Sequence, residues 1–187
     1  MIAIGSTRKP TDRIRSFIKE LTHVIPNAVR LTRGKQGFAE FCEEATSAGA
    51  SRFILVGAWH GNPGRLVFLQ QKTGEGWVFQ PPTILLKSVT LLRELGHDPP
   101  PPRTALFVVP DTPLDAAPAE SLAAALDAPV RQRDNLPPTS DRGALLQVGL
   151  HQRSTLEFLS PTGNEPLGPT LRVKEFLSEA LGDAKRW

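Results

Sequence analysis

The second half of this chain echoes the first, and that repetition constrains the fold more than any other feature of the sequence. Leu66-Val67-Phe68-Leu69, Thr73-Gly74, Pro82-Thr83-Ile84 and Leu95-Gly96 return as Leu156-Glu157-Phe158-Leu159, Thr162-Gly163, Pro169-Thr170-Leu171 and Leu181-Gly182, at offsets that drift from 90 to 86 residues. Val29-Arg30 returns as Val130-Arg131 at an offset of 101, and the drop is accounted for if the second copy lacks one helix, Phe38 to Ala48 of the first. A period this long is the mark of a duplicated supersecondary unit in which each copy buries the other's apolar face. The alternative is two αβ lobes that are alike by chance. Pro99 to Pro102, four prolines in succession, make a stiff spacer that can join neither a helix nor a central strand. They divide a single domain, residues 1–187, into a first half, 1–98, and a second half, 103–187.

The 187 residues suffice for one sizeable core, and 40% hydrophobic with 22% charged residues is the balance of a folded chain. The longest apolar run, Phe53 to Trp59, is far shorter than a membrane-spanning helix requires. The single cysteine, Cys42, lies at helical spacing with Phe38, Phe41 and Ala45, so it reads as a small core residue in a reducing, cytoplasmic setting. The net charge of +3 conceals a strong asymmetry. Residues 1–35 hold eight cations against only Asp12 and Glu20, a net of +6, while the remainder of the chain is net acidic. Such a cluster is the footprint of a polyanion binder, with phosphate backbone as the expected target. A solvated basic face without a partner is the other reading.

Two turns carry that charge. Gly5-Ser6-Thr7-Arg8-Lys9-Pro10 joins a short apolar strand, Met1 to Ile4, to a helix whose apolar face is Ile14, Phe17, Ile18, Leu21 and Val24, entered through Thr11 or Asp12 as N-cap. Exposed N–H groups, hydroxyls and cations at a helix N-terminus suit an anion. A short strand, Ala28 to Thr32, leads to the second turn, Arg33-Gly34-Lys35, and a helix with Phe38, Phe41, Cys42 and Ala45 inward and an acidic outer face. Arg52 to Trp59 reads as a strand buried on both faces, ending in the tight turn His60-Gly61-Asn62-Pro63-Gly64-Arg65. A tryptophan ending such a strand is expected to be buried; stacking of Trp59 and His60 on one base is the other role open to it. Leu66 to Gln70, Trp77 to Phe79 and Ile84 to Leu86 read as further strands, and Val89, Leu92 and Leu95 as a short helix stopped at Gly96. The second half reads as a strand from Ala105 to Val109, a helix through Leu122 and Leu126, a weak strand from Val130 to Arg133 and a loop from Asn135 to Gly143. Strands at Leu145 to Leu150, Thr155 to Leu159 and Thr170 to Val173 follow, and then a closing helix through Phe176, Leu177 and Leu181 to Gly182.

Catalytic chemistry finds little support in these residues. The four histidines are scattered without a second ligand at metal spacing, no cysteine pair exists, and the glycine-rich turns lead into strands rather than helices, unlike dinucleotide or P-loop motifs. A phosphate-handling enzyme built on Arg8, Lys9 and His60 is the one enzymatic reading left. With no tyrosine, a platform for stacking single-stranded bases is weak, so phosphate contacts to a structured RNA are expected.

Ser6-Thr7-Arg8-Lys9-Pro10-Thr11, Arg13, Phe17, Lys19-Glu20-Leu21, Pro26-Asn27-Ala28, Arg33-Gly34-Lys35 and above all His60-Gly61-Asn62-Pro63-Gly64-Arg65-Leu66 resemble the Brix domain family in order and spacing. The likeness continues more weakly to Leu167-Gly168-Pro169, and the chain looks like the small stand-alone archaeal members, similar to the small-subunit processome protein. Two turns depart from the family pattern: Gln80-Pro81-Pro82-Thr83 stands in place of Gly-Pro-Thr, and Thr170 where an arginine follows Gly-Pro. The resemblance implies an α/β fold of two similar halves, with mixed sheets and flanking helices, each half like the anticodon-binding domain of class II aminoacyl-tRNA synthetases. It implies a non-catalytic, cofactor-free factor of ribosome biogenesis that binds precursor ribosomal RNA and aids its folding or processing, as a cytoplasmic monomer, alongside other assembly proteins and without a membrane. A protein-interaction scaffold of a ribonucleoprotein and a tRNA-binding module are the alternatives. The RNA-binding residues carried over are Arg8, Lys9, Arg13, Arg33, Lys35, His60, Asn62 and Arg65, with Arg172 and Lys174 in the second half.

Overall fold

In the computed structural model, which describes residues 1–136, 142–163 and 165–180, the chain opens with strand β1 (Ile2–Ser6), helix α1 (Asp12–Val24), strand β2 (Ala28–Arg30) and helix α2 (Phe38–Ser47). Strands β3 (Arg52–Trp59), β4 (Asn62–Lys72) and β5 (Gly76–Thr90) then run as a meander. After the proline spacer come β6 (Ala105–Pro110), helix α3 (Ala116–Leu126), β7 (Gly143–Gly149), β8 (Thr155–Leu159) and β9 (Pro166–Leu177). Among the described residues these strands form one nine-stranded mixed sheet, ordered β2-β1-β3-β4-β5-β9-β8-β7-β6. No described helix is long and apolar enough to cross a membrane.

β3 shows why the sheet is covered on both faces. Its side chains alternate, so Ile54 and Val56 enter the larger core beneath α1 while Phe53 and Leu55 pack on the other face against Phe41 and Ala45 of α2. α3 lies on the same face as α1, contributing Leu122 and Leu126 to that larger core. A third cluster, Phe107, Val109, Leu145 and Leu159, covers the β6 end of the opposite face. The fully buried Phe17, Phe41 and Phe53 each stabilise the fold by about 1.5–3 kcal/mol through area removed from water.

The two halves pass through the same order of pairings. β1 pairs in parallel with β2 and β3, and β6 in parallel with an isolated bridge at Val130 and with β7. β3-β4-β5 and β7-β8-β9 then continue antiparallel. The halves meet along β5 and β9, where Thr83 pairs with Leu177, Val89 with Leu171 and Thr90 with Thr170. One continuous sheet thus replaces the separate sheets that the sequence implied. At the junction Thr83 and Leu85 of β5 pair on both sides, with β4 and β9, and Thr170, Leu171 and Arg172 of β9 pair with both β5 and β8.

That junction also corrects the elements beside it. Phe176 and Leu177 belong to β9 rather than to a closing helix, because Phe176 pairs with Ile84 and packs on the larger core; Leu181 and Gly182 lie outside the described residues. Trp77 to Phe79 and Ile84 to Leu86 are one strand. Pro81 and Pro82, which cannot donate to a ladder, sit in an irregularity where β4 pairs with Gln80 on one side and Thr83 on the other. Val89 belongs to this strand, which ends at Thr90, and the expected helix shrinks to a 3-10 turn, Leu92–Leu95, closed by the left-handed Gly96. Of the loop from Asn135 to Gly143, residues 137–141 lie outside the described residues; Asn135 ends a 3-10 turn and Gly143 opens β7. The proline spacer docks on the end of α1, where the Pro100 carbonyl lies 3.0 Å from His23 Nδ1.

Candidate nucleic-acid interface

The two basic turns lie at the C-terminal ends of the parallel strands β1 and β2, and they touch. β1 leads directly into its turn, which the Thr7 N–H ties back to the Val56 carbonyl at 3.1 Å before Lys9 takes a left-handed conformation (φ 55°). Thr11 caps α1, its hydroxyl accepting the Ile14 N–H at 3.3 Å. Arg8 donates through Nε and Nη2 to the Gln36 carbonyl at 3.4 and 3.3 Å, and Arg33 donates through Nε to that same carbonyl at 3.2 Å. Two guanidinium groups thus converge on one neutral acceptor. Arg33 is 3% exposed and lies over the Phe38 ring, 5.8 Å from its centre. Burial lowers its affinity for a proton, and the charge of Arg8 lowers it further. An anion brought to this place would relieve that repulsion.

Beside the pair, Lys9, Arg15 and Arg30 line a hollow of about 210 Å³ together with Ser6, Thr32 and Gly34. Arg15 also pairs with Asp12 at 2.6 Å, an exposed contact. The α1 N-terminus adds the positive end of its dipole. Lys35 is exposed on the second turn. Arg15 and Arg30 belong to the basic cluster by composition, but only the parallel pairing of β1 with β2 brings them to one hollow.

Arg13 does not join this group. Its guanidinium faces the end of β5, where Nη2 donates to the Val89 carbonyl at 2.7 Å and to Glu94 Oε2 at 3.1 Å, while Nη1 pairs with Glu94 Oε1. The hydrogen bonds from Arg13 hold the Glu94 carboxyl below its ordinary pKa. Its position is that of a brace between α1 and the 3-10 turn.

The hairpin between β3 and β4 supplies a second group. Trp59 pairs with Asn62 across a two-residue turn in which His60 and Gly61 both have positive φ, 46° and 77°, the geometry of a type I′ hairpin. The Asn62 side-chain amide donates to the His60 carbonyl at 3.2 Å, and the Thr11 hydroxyl donates to the Gly61 carbonyl at 2.6 Å. The second bond joins this hairpin to the first basic turn. Trp59 is 69% exposed, which overturns the expectation of a buried tryptophan: β3 is buried from Phe53 to Gly57, and its last two residues, Ala58 and Trp59, are exposed. Trp59, Arg65 and Lys174 line a groove of about 440 Å³ with Ala58, Gly64, Leu85 and Leu86. Arg172 is exposed on β9 opposite Ser88 and Thr155 and does not line this groove.

The corresponding strand ends of the second half carry a different electrostatic pattern. Arg153 pairs with Asp111 at 3.0 Å and with Glu157 at 3.1 Å, and Gln147 donates to Asp111 while accepting from Arg133. Arg153 there faces two acids, whereas among the described residues no ion pair joins Arg8, Lys9, Arg30 or Lys35 to a carboxylate. No group of three or more His, Cys, Asp or Glu placed to hold a metal occurs among the described residues.

No family model matches the chain. It is 32% identical over 168 residues to a probable Brix domain-containing ribosomal biogenesis protein of Aeropyrum pernix, covering 90% of this chain and 92% of that one. A protein of the same description from Pyrococcus horikoshii is 29% identical over all of this chain and 88% of its own length. The crystal structure of a probable ribosomal biogenesis protein from Aeropyrum pernix K1 superposes with a TM-score of 0.79 at 29% identity, covering 97% of this chain and 98% of that one. Mil, an archaeal Imp4-like protein, shares the fold at a TM-score of 0.69 and 20% identity, over 96% of this chain and all of that one. The chain belongs to the Brix domain family.

Proposed function

We propose that this protein is a non-catalytic ribosome-biogenesis factor that binds precursor ribosomal RNA, gripping phosphates of a structured segment with its two basic turns while the RNA folds or is processed. The observation that carries this is the convergence of Arg8 and Arg33 on the Gln36 carbonyl beside the hollow lined by Lys9, Arg15 and Arg30. Like charges held this close, with the helix dipole behind them, await an anion, and a polyanion satisfies several of them at once. The ribosomal biogenesis descriptions of its relatives support the choice of RNA. The second half, where Arg153 is matched by Asp111 and Glu157, contributes less to phosphate binding. The protein acts as a cytoplasmic monomer.

The two halves are copies of one unit, each like the anticodon-binding domain of class II aminoacyl-tRNA synthetases. The common order of strand pairing in β1–β5 and β6–β9 supports the duplication.

The test is recovery of the crosslinked protein from growing cells, followed by sequencing of the attached RNA. Enrichment of precursor ribosomal RNA over mature species is the expected result. A complex that survives nuclease treatment intact and carries only protein partners would contradict it.

A further inference from the structure

The basic turns explain phosphate binding but leave the Trp59 hairpin without a role. The Trp59 indole is 69% exposed at the end of β3. His60 packs edge-on against it, ring centres 4.8 Å apart and planes at 82°. Its backbone is fixed by the pairing with Asn62 and by the close approach of Gly64, where a Cβ would stand 2.3 Å from Trp59 Cβ. The indole thus stands beside the groove lined by Arg65, Lys174, Leu85 and Leu86. Its volume of about 440 Å³ is within the usual range for small-ligand sites, roughly 300–1,000 Å³. The groove combines an aromatic surface, an aliphatic floor and two cations from different strands, and the Thr11–Gly61 hydrogen bond connects it to the phosphate-binding turn.

Resting on the RNA-binding reading above, we propose that this groove receives one unpaired nucleotide of the bound RNA, its base stacked on Trp59 and its phosphate held by Arg65 and Lys174. A flat π face answers the indole, and a phosphate answers the paired cations; a base inside a duplex keeps its π face covered by its stacked neighbours, so only an unpaired nucleotide offers both. The protein would thereby select structured RNA that carries a bulged or splayed-out base next to the segment gripped by Arg8 and Lys35. Glu175, in register with Leu85, is the acid nearest the groove along β9, and it does not line it.

The test uses the whole protein and two short RNA hairpins, identical except that one carries a bulged adenine and the other an abasic residue at the same place. Wild type should prefer the bulged adenine by about 10-fold, a preference that Trp59→Ala removes and Trp59→Phe largely keeps. Lys174→Ala should weaken both hairpins alike and flatten the salt dependence. The exposed indole makes Trp59→Ala a mild change, and an unaltered circular dichroism melt would establish that the variant is folded. If wild type binds both hairpins equally with a steep salt dependence, the nucleotide site is refuted while RNA binding stands, and the groove fits a protein chain instead. If neither hairpin binds at any salt concentration, the RNA-binding reading falls and this site falls with it.

Discussion

The Thr11 hydroxyl donates to the Gly61 carbonyl at 2.6 Å while accepting the Ile14 N–H at 3.3 Å. One side chain thus caps α1 and fastens the β3–β4 turn to it across fifty residues of sequence. Thr11→Val keeps the shape and removes both bonds. It should lower stability by about 1–2 kcal/mol, the usual loss for a helix cap, and speed amide exchange at Asn62. Urea unfolding and hydrogen exchange measure the two effects, and unchanged exchange at the hairpin would show that the tether is idle.

Arg8→Ala and Lys35→Ala should each weaken binding to precursor ribosomal RNA to a similar degree across sequences. Each should also reduce the slope of log K against log salt by about 0.7–0.9 per lost phosphate contact. Arg13→Ala should instead cost stability with little change of slope, because its guanidinium serves Glu94 and Val89. Equal slope losses at Arg8 and Arg13 would contradict the division drawn here.

Gly64→Ala adds a methyl group 2.3 Å from Trp59 Cβ and 3.1 Å from the Trp59 backbone nitrogen. The hairpin must shift to admit it, at a cost of about 1–3 kcal/mol. Denaturant titration reads the loss, and a variant as stable as wild type would mean that the hairpin yields freely.

Glu20 is 4% exposed, and its carboxylate accepts the Leu92 N–H at 3.0 Å. Burial raises its pKa above 4.5, outweighing the lowering by that hydrogen bond. Between the unfolded value and the higher folded one, the native state holds a proton that the unfolded chain has released, so stability falls as pH rises through that window. Glu20→Gln keeps an acceptor for Leu92 and removes the charge. Its stability relative to wild type should therefore increase from acid pH toward neutrality and then level off. A difference independent of pH in urea melts would refute the assignment.

The local parts of this fold are legible in the sequence, and the parts that depend on distant pairing are not. The apolar face Ile14, Phe17, Ile18, Leu21 and Val24 with its Thr11 cap is seen as read, and Thr155 to Leu159 forms a strand with those bounds. Phe176 and Leu177 carry a helical spacing, but their partners Ile84 and Thr83 lie far away in sequence, and the ladder they complete outweighs local preference. The same holds at the site. Arg8, Lys9, Arg33 and Lys35 declare themselves by composition, whereas the loss of Arg13 to Glu94, the arrival of Arg15 and Arg30 at the hollow and the exposure of Trp59 follow from tertiary placement.

The central claim is most directly tested by filter-binding titration of the pure protein against precursor ribosomal RNA, bulk tRNA and duplex DNA at several salt concentrations. The account predicts preference for the ribosomal RNA and affinity that falls steeply with salt. Weak binding to all three, indifferent to salt, would contradict it and assign the basic turns to a protein partner.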